Sequence, residues 1–182
     1  MNTKIQFVEL PAATADGEFV ARYSEKGLAA LNFPAGRERS PAARTPRAAK
    51  KEIPAKILRW HCTTESALKT ILAGRKPKDF PPLDLAGTPF QKSVWNALRK
   101  ISPGKTKSYG EIARAIGRSR AVRAVGSACG ANPVPVLVPC HRVLAANQKL
   151  GGFSGGLNRK RTLLAREGVE FFKPEGRKSR RF

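Results

Sequence analysis

The chain has 182 residues, which suits one compact domain or a small N-terminal domain joined to a larger partner. Its 35 lysines and arginines stand against 13 acidic residues, a formal net charge of +22 that far exceeds what solubility requires. Such an excess favours a polyanionic partner. No apolar run approaches the roughly 20 residues that cross a membrane, so we expect no membrane association.

The number and spacing of the cysteines argue against a disulfide framework and against a structural metal site. Three cysteines are an odd number, and the N-terminus lacks the pattern of a secretory signal, so a cytoplasmic protein without a disulfide framework is expected. The cysteines and the two histidines show no paired C-x-x-C spacing. We therefore predict no structural metal, and no sequence motif indicates a cofactor.

The positive charge is concentrated in the C-terminal half. Up to Leu85 the chain has 15 basic and 9 acidic residues, whereas the remainder has 20 basic and 4 acidic residues. Binding of a polyanion should therefore belong mainly to the C-terminal half.

A small antiparallel sheet is predicted at the N-terminus. Residues 4–10 alternate in part between apolar and polar, and 17–23 and 27–33 have the pattern of two strands around a Ser-Glu-Lys turn. The following stretch, 34–54, is rich in proline, alanine and arginine and has almost no large apolar side chain. We expect a flexible basic linker or loop there.

One helix is predicted before the middle of the chain and another just after it. Thr63 or Thr64 can cap the first, which should end near Leu72. Thr88 and Pro89 fit the cap and first turn of the second, which should run to about residue 101. Apolar residues recur at helical spacing along that second helix and are assigned to the core; they are Phe90, Val94, Trp95 and Leu98.

Two short helices joined by a tight turn are predicted next. Ser108 fits a capping box for a helix over about Tyr109–Ile116, and Gly117 can end it. Ser119 can cap a second helix that reaches Ala128 or Cys129. This arrangement is typical of a helix-turn-helix.

The chain then enters an apolar run that leads directly to a cysteine and a histidine. Residues 134–138 are predicted to be a buried extended segment, and a final helix should occupy about 156–166. The basic tail over 173–181 is expected to be disordered unless a polyanion orders it. Cys140 beside His141 can form an activated thiol nucleophile, although a buried cysteine is more often a small hydrophobic residue.

A longer set of motifs favours the nucleophile over the small hydrophobic residue as the interpretation of Cys140. The segments NPVP and VPCHRV around Cys140 resemble the active-site segment of the methylated-DNA–protein-cysteine methyltransferases. The segments GTPFQKSVW, SYGEIA, RAVGSACG, GGFSGG and LLAREG follow that family's order between Gly87 and Gly168. About half of the chain therefore resembles this family closely, and the residues before Gly87 resemble it only loosely.

The resemblance implies an α+β (α/β) fold with two domains. Residues 1–85, which include the basic loop, would form a small ribonuclease-H-like sheet domain. Residues 86–170 would form a mostly helical alkyltransferase domain with a winged-helix-like helix-turn-helix, and 171–182 would be a basic tail.

The resemblance also implies the catalytic residues. Cys140 would accept the alkyl group, His141 would act as its base through a water molecule, and Glu167 would orient His141. Asn132 would close the turn that links the helix-turn-helix to the cysteine. From local sequence alone, Glu167 could equally be a solvated carboxylate at a helix end, and Asn132 an ordinary Asn-Pro turn.

The same resemblance implies a set of residues that bind DNA or the alkylated base. A guanine paired in a duplex hides its 6-oxygen, so the nucleotide must be flipped out. Arg123, midway along the second helix of the pair, would fill the gap, although a phosphate contact is the alternative. Small residues keep this helix thin, and in this family it enters the minor groove. The further substrate- or DNA-binding residues are Tyr109, Ser127, Ala128, Arg142, Phe153, Ser154, Gly155 and Gly156.

The implied function is single-turnover repair of 6-O-alkylguanine in double-stranded DNA, by a protein expected to be monomeric without DNA. Phe153 stands where many relatives have tyrosine, which puts the fine substrate preference in question. Three alternatives stay open: a lesion sensor without transfer activity, a helix-turn-helix regulator, and a Cys-His hydrolase.

Overall fold

The computed structural model describes residues 7–34 and 53–170. It combines a three-stranded antiparallel sheet, a two-stranded parallel sheet and α-helices, which confirms the predicted mixed α/β class. Most of the basic loop, the start of the predicted first strand and the tail lie outside the described residues. None of the described helices is both long and apolar enough to span a bilayer.

The N-terminal sheet contains strands β1 (Val8–Thr14), β2 (Gly17–Tyr23) and β3 (Leu28–Asn32) in that order. The two later strands match the prediction, with Ser24 in the turn between them. β1 continues past the predicted end at Leu10 to Thr14, because its pairing with β2 runs in register to the hairpin turn.

Helix α1 (Ala55–Leu72) begins nine or ten residues earlier than predicted, since its N-cap is Pro54 and not Thr63 or Thr64. Pro54 precedes its first turn, and the helix has no side-chain N-cap. Thr63 and Thr64 were predicted to be caps, but their hydroxyls donate to carbonyls four residues back, inside the helix. The prediction of the start was therefore wrong, because a proline start gives no capping side chain to detect.

The two halves of the chain pack into one continuous hydrophobic cluster. α1 packs on β1 and β2, and the backbone of β3 reaches the other half, where the amide of Leu31 donates to the carbonyl of Pro133 at 2.9 Å. The division into domains at residue 85, and the ribonuclease-H-like and winged-helix-like descriptions, stay predictions.

Helix α2 (Pro89–Arg99) begins with the predicted Thr88 cap and packs its apolar face into the core. Trp95 is fully buried, and its Nε1 donates to the carbonyl of Ala128 at 2.8 Å. This bond joins α2 to α4 (Val122–Gly130), the second helix of the predicted pair.

The first helix of that pair, α3 (Tyr109–Ala115), has the predicted capping box, in which Ser108 and Glu111 exchange hydrogen bonds. α4 begins at Val122 without a side-chain cap, so the prediction that Ser119 caps it was wrong. Ser119 lies in a longer turn, closed by a bond from the amide of Ala121 to the carbonyl of Arg118.

A short parallel ladder links the helix pair to the cysteine segment. Strand β4 (Lys107–Ser108) pairs with β5 (Val143–Leu144), which directly follows a single 3-10 turn over Cys140–Arg142. Helix α5 (Leu157–Arg166) then closes the fold against that turn. The ladder therefore fixes the cysteine turn relative to the start of α3.

Candidate active site

Cys140 is held at the end of a compact turn. Residues 134–138 are fully buried, as predicted, but they are not extended: the amide of Val138 bonds back to the carbonyl of Val134 at 2.9 Å. Val136 has φ 74, a left-handed conformation that costs a β-branched residue on the order of 1–3 kcal/mol. The turn redirects the chain so that Cys140 starts the 3-10 turn, with its side chain in the core.

The buried side chain of Asn132 stabilises this turn through three bonds. Its Oδ1 accepts from the amide of Val134 at 3.1 Å, and its Nδ2 donates to the carbonyl of Val138 at 2.7 Å. The same Nδ2 lies 3.2 Å from Sγ of Cys140. The amide therefore combines a structural role with a hydrogen bond that favours a thiolate at Cys140.

Glu167 lies where a histidine and an arginine converge. Its side chain is only 1% exposed, although it caps the C-terminus of α5. Oε1 lies 3.1 Å from Nε2 of His141, and Nε and Nη2 of Arg142 bind the carboxylate at 2.8–3.1 Å. The remaining guanidinium nitrogen, Nη1, donates to the carbonyl of Ile101 at 2.6 Å.

The charges of this cluster follow from burial and pairing. Burial acts to raise the pKa of Glu167, but the hydrogen bonds from His141 and Arg142 outweigh it and hold the pKa below its usual value. Burial lowers the pKa of His141, against the opposing effect of Glu167. At neutral pH the cluster therefore contains a carboxylate paired with a guanidinium, and a neutral imidazole.

The tautomer of His141 follows from the same contacts. An ionised Glu167 can only accept, so Nε2 of His141 carries the proton and donates it to the carboxylate. Nδ1 is then an unprotonated, buried lone pair, and no group in the described part of the chain bonds to it. It is the one nitrogen of the cluster that can accept a proton.

A buried lysine, not predicted from the sequence, completes the surroundings of the cysteine. Lys160 is fully buried on α5, and its Nζ donates to the carbonyl of Val143 at 2.6 Å. Burial raises the pKa of the Cys140 thiol, while the bond from Asn132 and the positive charge of Lys160 act against that rise. Lys160 lies three and four residues before the buried Leu163 and Leu164, so a helical-wheel analysis of α5 could have identified a lysine on the apolar face.

Lys160 should make stability depend on pH in a distinctive way. Burial lowers its pKa from 10.5 to about 8, so between these values the unfolded chain binds a proton that the folded chain has lost. Stability then rises with pH across that interval, because the unfolded state holds more protons. We expect the unfolding free energy of the native chain, relative to that of Lys160→Met, to rise by about 1 kcal/mol or more from pH 8 to pH 9.5.

Urea denaturation of both chains across that interval measures this difference, and comparison of the two cancels the titration of other groups. Lys56→Met, at an exposed lysine, is the matched control and should show no such trend. A difference between native and Lys160→Met that stays flat with pH would contradict the buried charge.

Tyr109 and the loop 151–156 border the cysteine. A β-carbon added to Gly151, which has φ 63, would lie 3.0 Å from the Tyr109 hydroxyl, so a glycine permits this close approach. Burial raises the pKa of Tyr109, and Cys129 and Cys140 add to the rise. The ring of Phe153 meets that of His141 edge-on at 6.4 Å, whereas Ser154 is exposed. Phe153 therefore lies next to the buried cluster, whereas Ser154 lies at the surface.

Two of the predicted DNA-contacting residues are not at the surface. Ala128 is 2% exposed and faces the core, and Arg142 is 5% exposed and bonded to Glu167. Both side chains therefore make internal contacts, and their predicted part in substrate or DNA binding stays a prediction. Ser127 and Arg123 are exposed, but Arg123 lies in the first turn of α4 and not midway along it, because the helix begins at Val122.

The comparisons with known proteins agree with this geometry. Residues 89–169 match a family model described as "6-O-methylguanine DNA methyltransferase, DNA binding domain". The structure is similar to that of the Mycobacterium tuberculosis O6-methylguanine methyltransferase, with a TM-score of 0.67 and 34% identity over 89% of this chain and 93% of that one. The chain belongs to the 6-O-methylguanine DNA methyltransferase family.

Curated members of this family are similar over about half of this chain. The methylated-DNA–protein-cysteine methyltransferase of Mycolicibacterium paratuberculosis is 59% identical over 85 residues, 47% of this chain and 52% of the relative. That of Mycobacterium bovis is 53% identical over 100 residues, 55% of this chain and 61% of the relative. The aligned part thus spans about half to three fifths of these relatives.

Proposed function

We propose that the protein repairs alkylated guanine in duplex DNA by transferring the alkyl group irreversibly to its own Cys140. The observation that carries this proposal is a buried thiol, bonded by Asn132, that is followed in the 3-10 turn by an imidazole whose Nε2 is bonded to an ionised Glu167. Such a relay prepares a thiol for nucleophilic attack. The relatives named above as methyltransferases support the same assignment.

The proposed reaction begins with deprotonation of Cys140. Because Nε2 of His141 donates to Glu167, its Nδ1 accepts the thiol proton through a water molecule. The ammonium of Lys160 and the amide of Asn132 then stabilise the thiolate. Since burial alone raises the pKa of Cys140, we infer that the resting protein holds a thiol and that the thiolate forms only as substrate binds.

The thiolate attacks the alkyl carbon in line, so a carbon–sulfur bond forms as the bond between that carbon and the 6-oxygen breaks. The electron pair goes to the guanine, and hydrogen bonds from Tyr109 and Ser154 stabilise the departing base. The departing base takes up one proton, which balances the proton that His141 accepted from Cys140, so the products are a neutral guanine and a thioether on Cys140. No described group is placed to hydrolyse a thioether, so each molecule acts once.

We further propose that α3 and α4 bind the damaged duplex. Four arginines in and next to these helices are exposed, and they add to the charge that attracts phosphates; they are Arg114, Arg118, Arg120 and Arg123. Small residues make α4 thin enough to enter the minor groove, where Arg123 at its first turn fills the gap left by a flipped nucleotide. A Mycobacterium tuberculosis relative, 36% identical with a TM-score of 0.64, has been solved in complex with DNA.

A monomeric protein without DNA and a cytoplasmic setting complete the proposal. The alternative function is a lesion sensor that flips alkylated guanine without reacting. The presence of Cys140 within a complete relay favours transfer, because a sensor needs neither a nucleophile nor a base.

Counting repaired guanines distinguishes the two functions. A duplex with one 6-O-methylguanine, supplied in excess, should yield unmodified guanine up to one equivalent per protein molecule and then no more. The base composition after digestion measures this yield. Continued repair beyond one equivalent would contradict single-turnover transfer, and binding without repair would establish the sensor.

A further inference from the structure

Four rings form a chain from the N-terminal sheet to the proposed base. Phe19 of β2 contacts Phe33 with ring centroids 5.6 Å apart, and Phe33 meets Phe153 edge-on, also at 5.6 Å. Phe153 in turn meets His141 at 6.4 Å. Phe33 is thus linked to the proposed base through the ring of Phe153.

The loop that carries Phe153 is fitted closely to Phe33. A β-carbon on Gly155 would lie 2.7 Å from two atoms of the Phe33 ring and 2.8 Å from the Phe153 ring. Arg159 on α5 holds Phe33 from another side, because its guanidinium lies 4.9 Å from the ring centre and donates to the carbonyl of Pro34 at 3.0 Å. The position of Phe153 therefore depends on a residue about 120 positions earlier in the chain.

Behind Phe33 the packing is open. A crevice of about 230 Å³ lies between the sheet and α5. Its lining includes Phe19, Phe33, Leu72 and Leu163, so one side of the Phe33 ring faces unfilled space. A ring with free volume behind it can move back at low cost, whereas a ring packed on all sides cannot.

We propose that Phe33 is a specificity-determining residue that positions Phe153 and sets how bulky an alkyl group the site accepts. This inference rests on the proposed function, in which the loop with Phe153 forms a wall of the alkylguanine pocket. The crevice behind Phe33 lets that wall yield to a bulky group. Removing the Phe33 ring should widen the pocket, whereas a larger ring at this position should make the pocket wall rigid.

Opposite substitutions at Phe33 test this role. The measured quantity is the ratio of single-turnover rate constants for a benzylated and a methylated guanine in the same duplex. Phe33→Ala should raise the benzyl-to-methyl ratio about fivefold or more, and Phe33→Trp, which fills part of the crevice, should lower it by a similar factor. If Phe33 had only a structural role, each substitution would slow transfer of the benzyl and the methyl group by the same factor and leave the ratio unchanged.

Leu10→Ala is the matched control, because Leu10 is a partly buried residue of the same sheet that packs against the core. Its ratio should stay within about twofold of the native value. If Phe33→Ala does not fold, Phe33→Leu takes its place with the same expected direction. Ratios that do not change in opposite directions overturn the inference, whereas a native chain that transfers neither group overturns the proposed function itself.

Discussion

Replacing Glu167 with glutamine should destabilise the protein by about 3 kcal/mol, because the guanidinium of Arg142 would lose its buried anionic partner. The carboxylate binds Arg142 and His141 at once, and its side chain is almost completely buried. A glutamine amide has only one acceptor oxygen, and its NH2 group introduces donors that face the donors of Arg142 and His141. Urea denaturation at pH 7 measures the loss.

Glu170→Gln provides the matched control, since Glu170 is an exposed carboxylate three residues further along. Its unfolding free energy should stay within about 0.5 kcal/mol of the native value. A Glu167→Gln protein as stable as this control would contradict a buried ion pair at the site.

The same carboxylate predicts a loss of stability in acid. The folded-state pKa of Glu167 is below its ordinary value of 4.5, so the unfolded chain takes up a proton first as the pH falls. The stabilisation is therefore complete above pH 4.5 and is lost as the pH falls through the folded-state pKa. Glu167→Gln should lack this component of the acid transition.

Removing the proposed base should slow the reaction strongly. His141→Ala is expected to slow alkyl transfer by about 10²–10⁴-fold while leaving affinity for the lesion duplex nearly unchanged, because the histidine acts on the thiol proton and is buried away from the surface. Single-turnover transfer and equilibrium binding, measured on the same preparation, separate the two effects. His61→Ala, at a histidine outside the site, should transfer at close to the native rate.

The pH dependence of transfer should report the same group. Burial lowers the pKa of His141 below 6.5, so the imidazole stays neutral and able to accept a proton throughout the neutral range. The transfer rate should therefore stay level as the pH falls to 6.5 and decline only below it. A rate that halves near pH 7.5 would indicate a different base.

Much of the local structure could be predicted because its signals lie within a few residues. The capping boxes at Thr88 and Ser108 involve side chains three positions apart and set the starts of α2 and α3 correctly. The starts of α1 and α4 have no capping side chain, and both were placed wrongly. Capping side chains therefore account for the correct starts of α2 and α3, whereas α5 begins at Leu157, close to its predicted start, without one.

The residues of the candidate site were likewise predictable only in part. The motif around Cys140 identified the thiol and the imidazole, but it could not indicate that Arg142, two residues on, turns inward to Glu167. A 3-10 turn sends successive side chains in different directions, so adjacency in sequence does not define a common face. Phe33 could not be predicted at all, because its contact with Phe153 exists only in the folded chain.

The most direct test of the account is the mass of the intact protein after incubation with a duplex that contains one methylated guanine. We expect a gain of one methyl group that saturates at one per protein and maps to Cys140. The gain should persist in Cys129→Ser, which removes the other buried thiol, and should vanish in Cys140→Ser. Tight binding of the lesion duplex without a gain in mass, or a gain that survives in Cys140→Ser, would contradict transfer to Cys140.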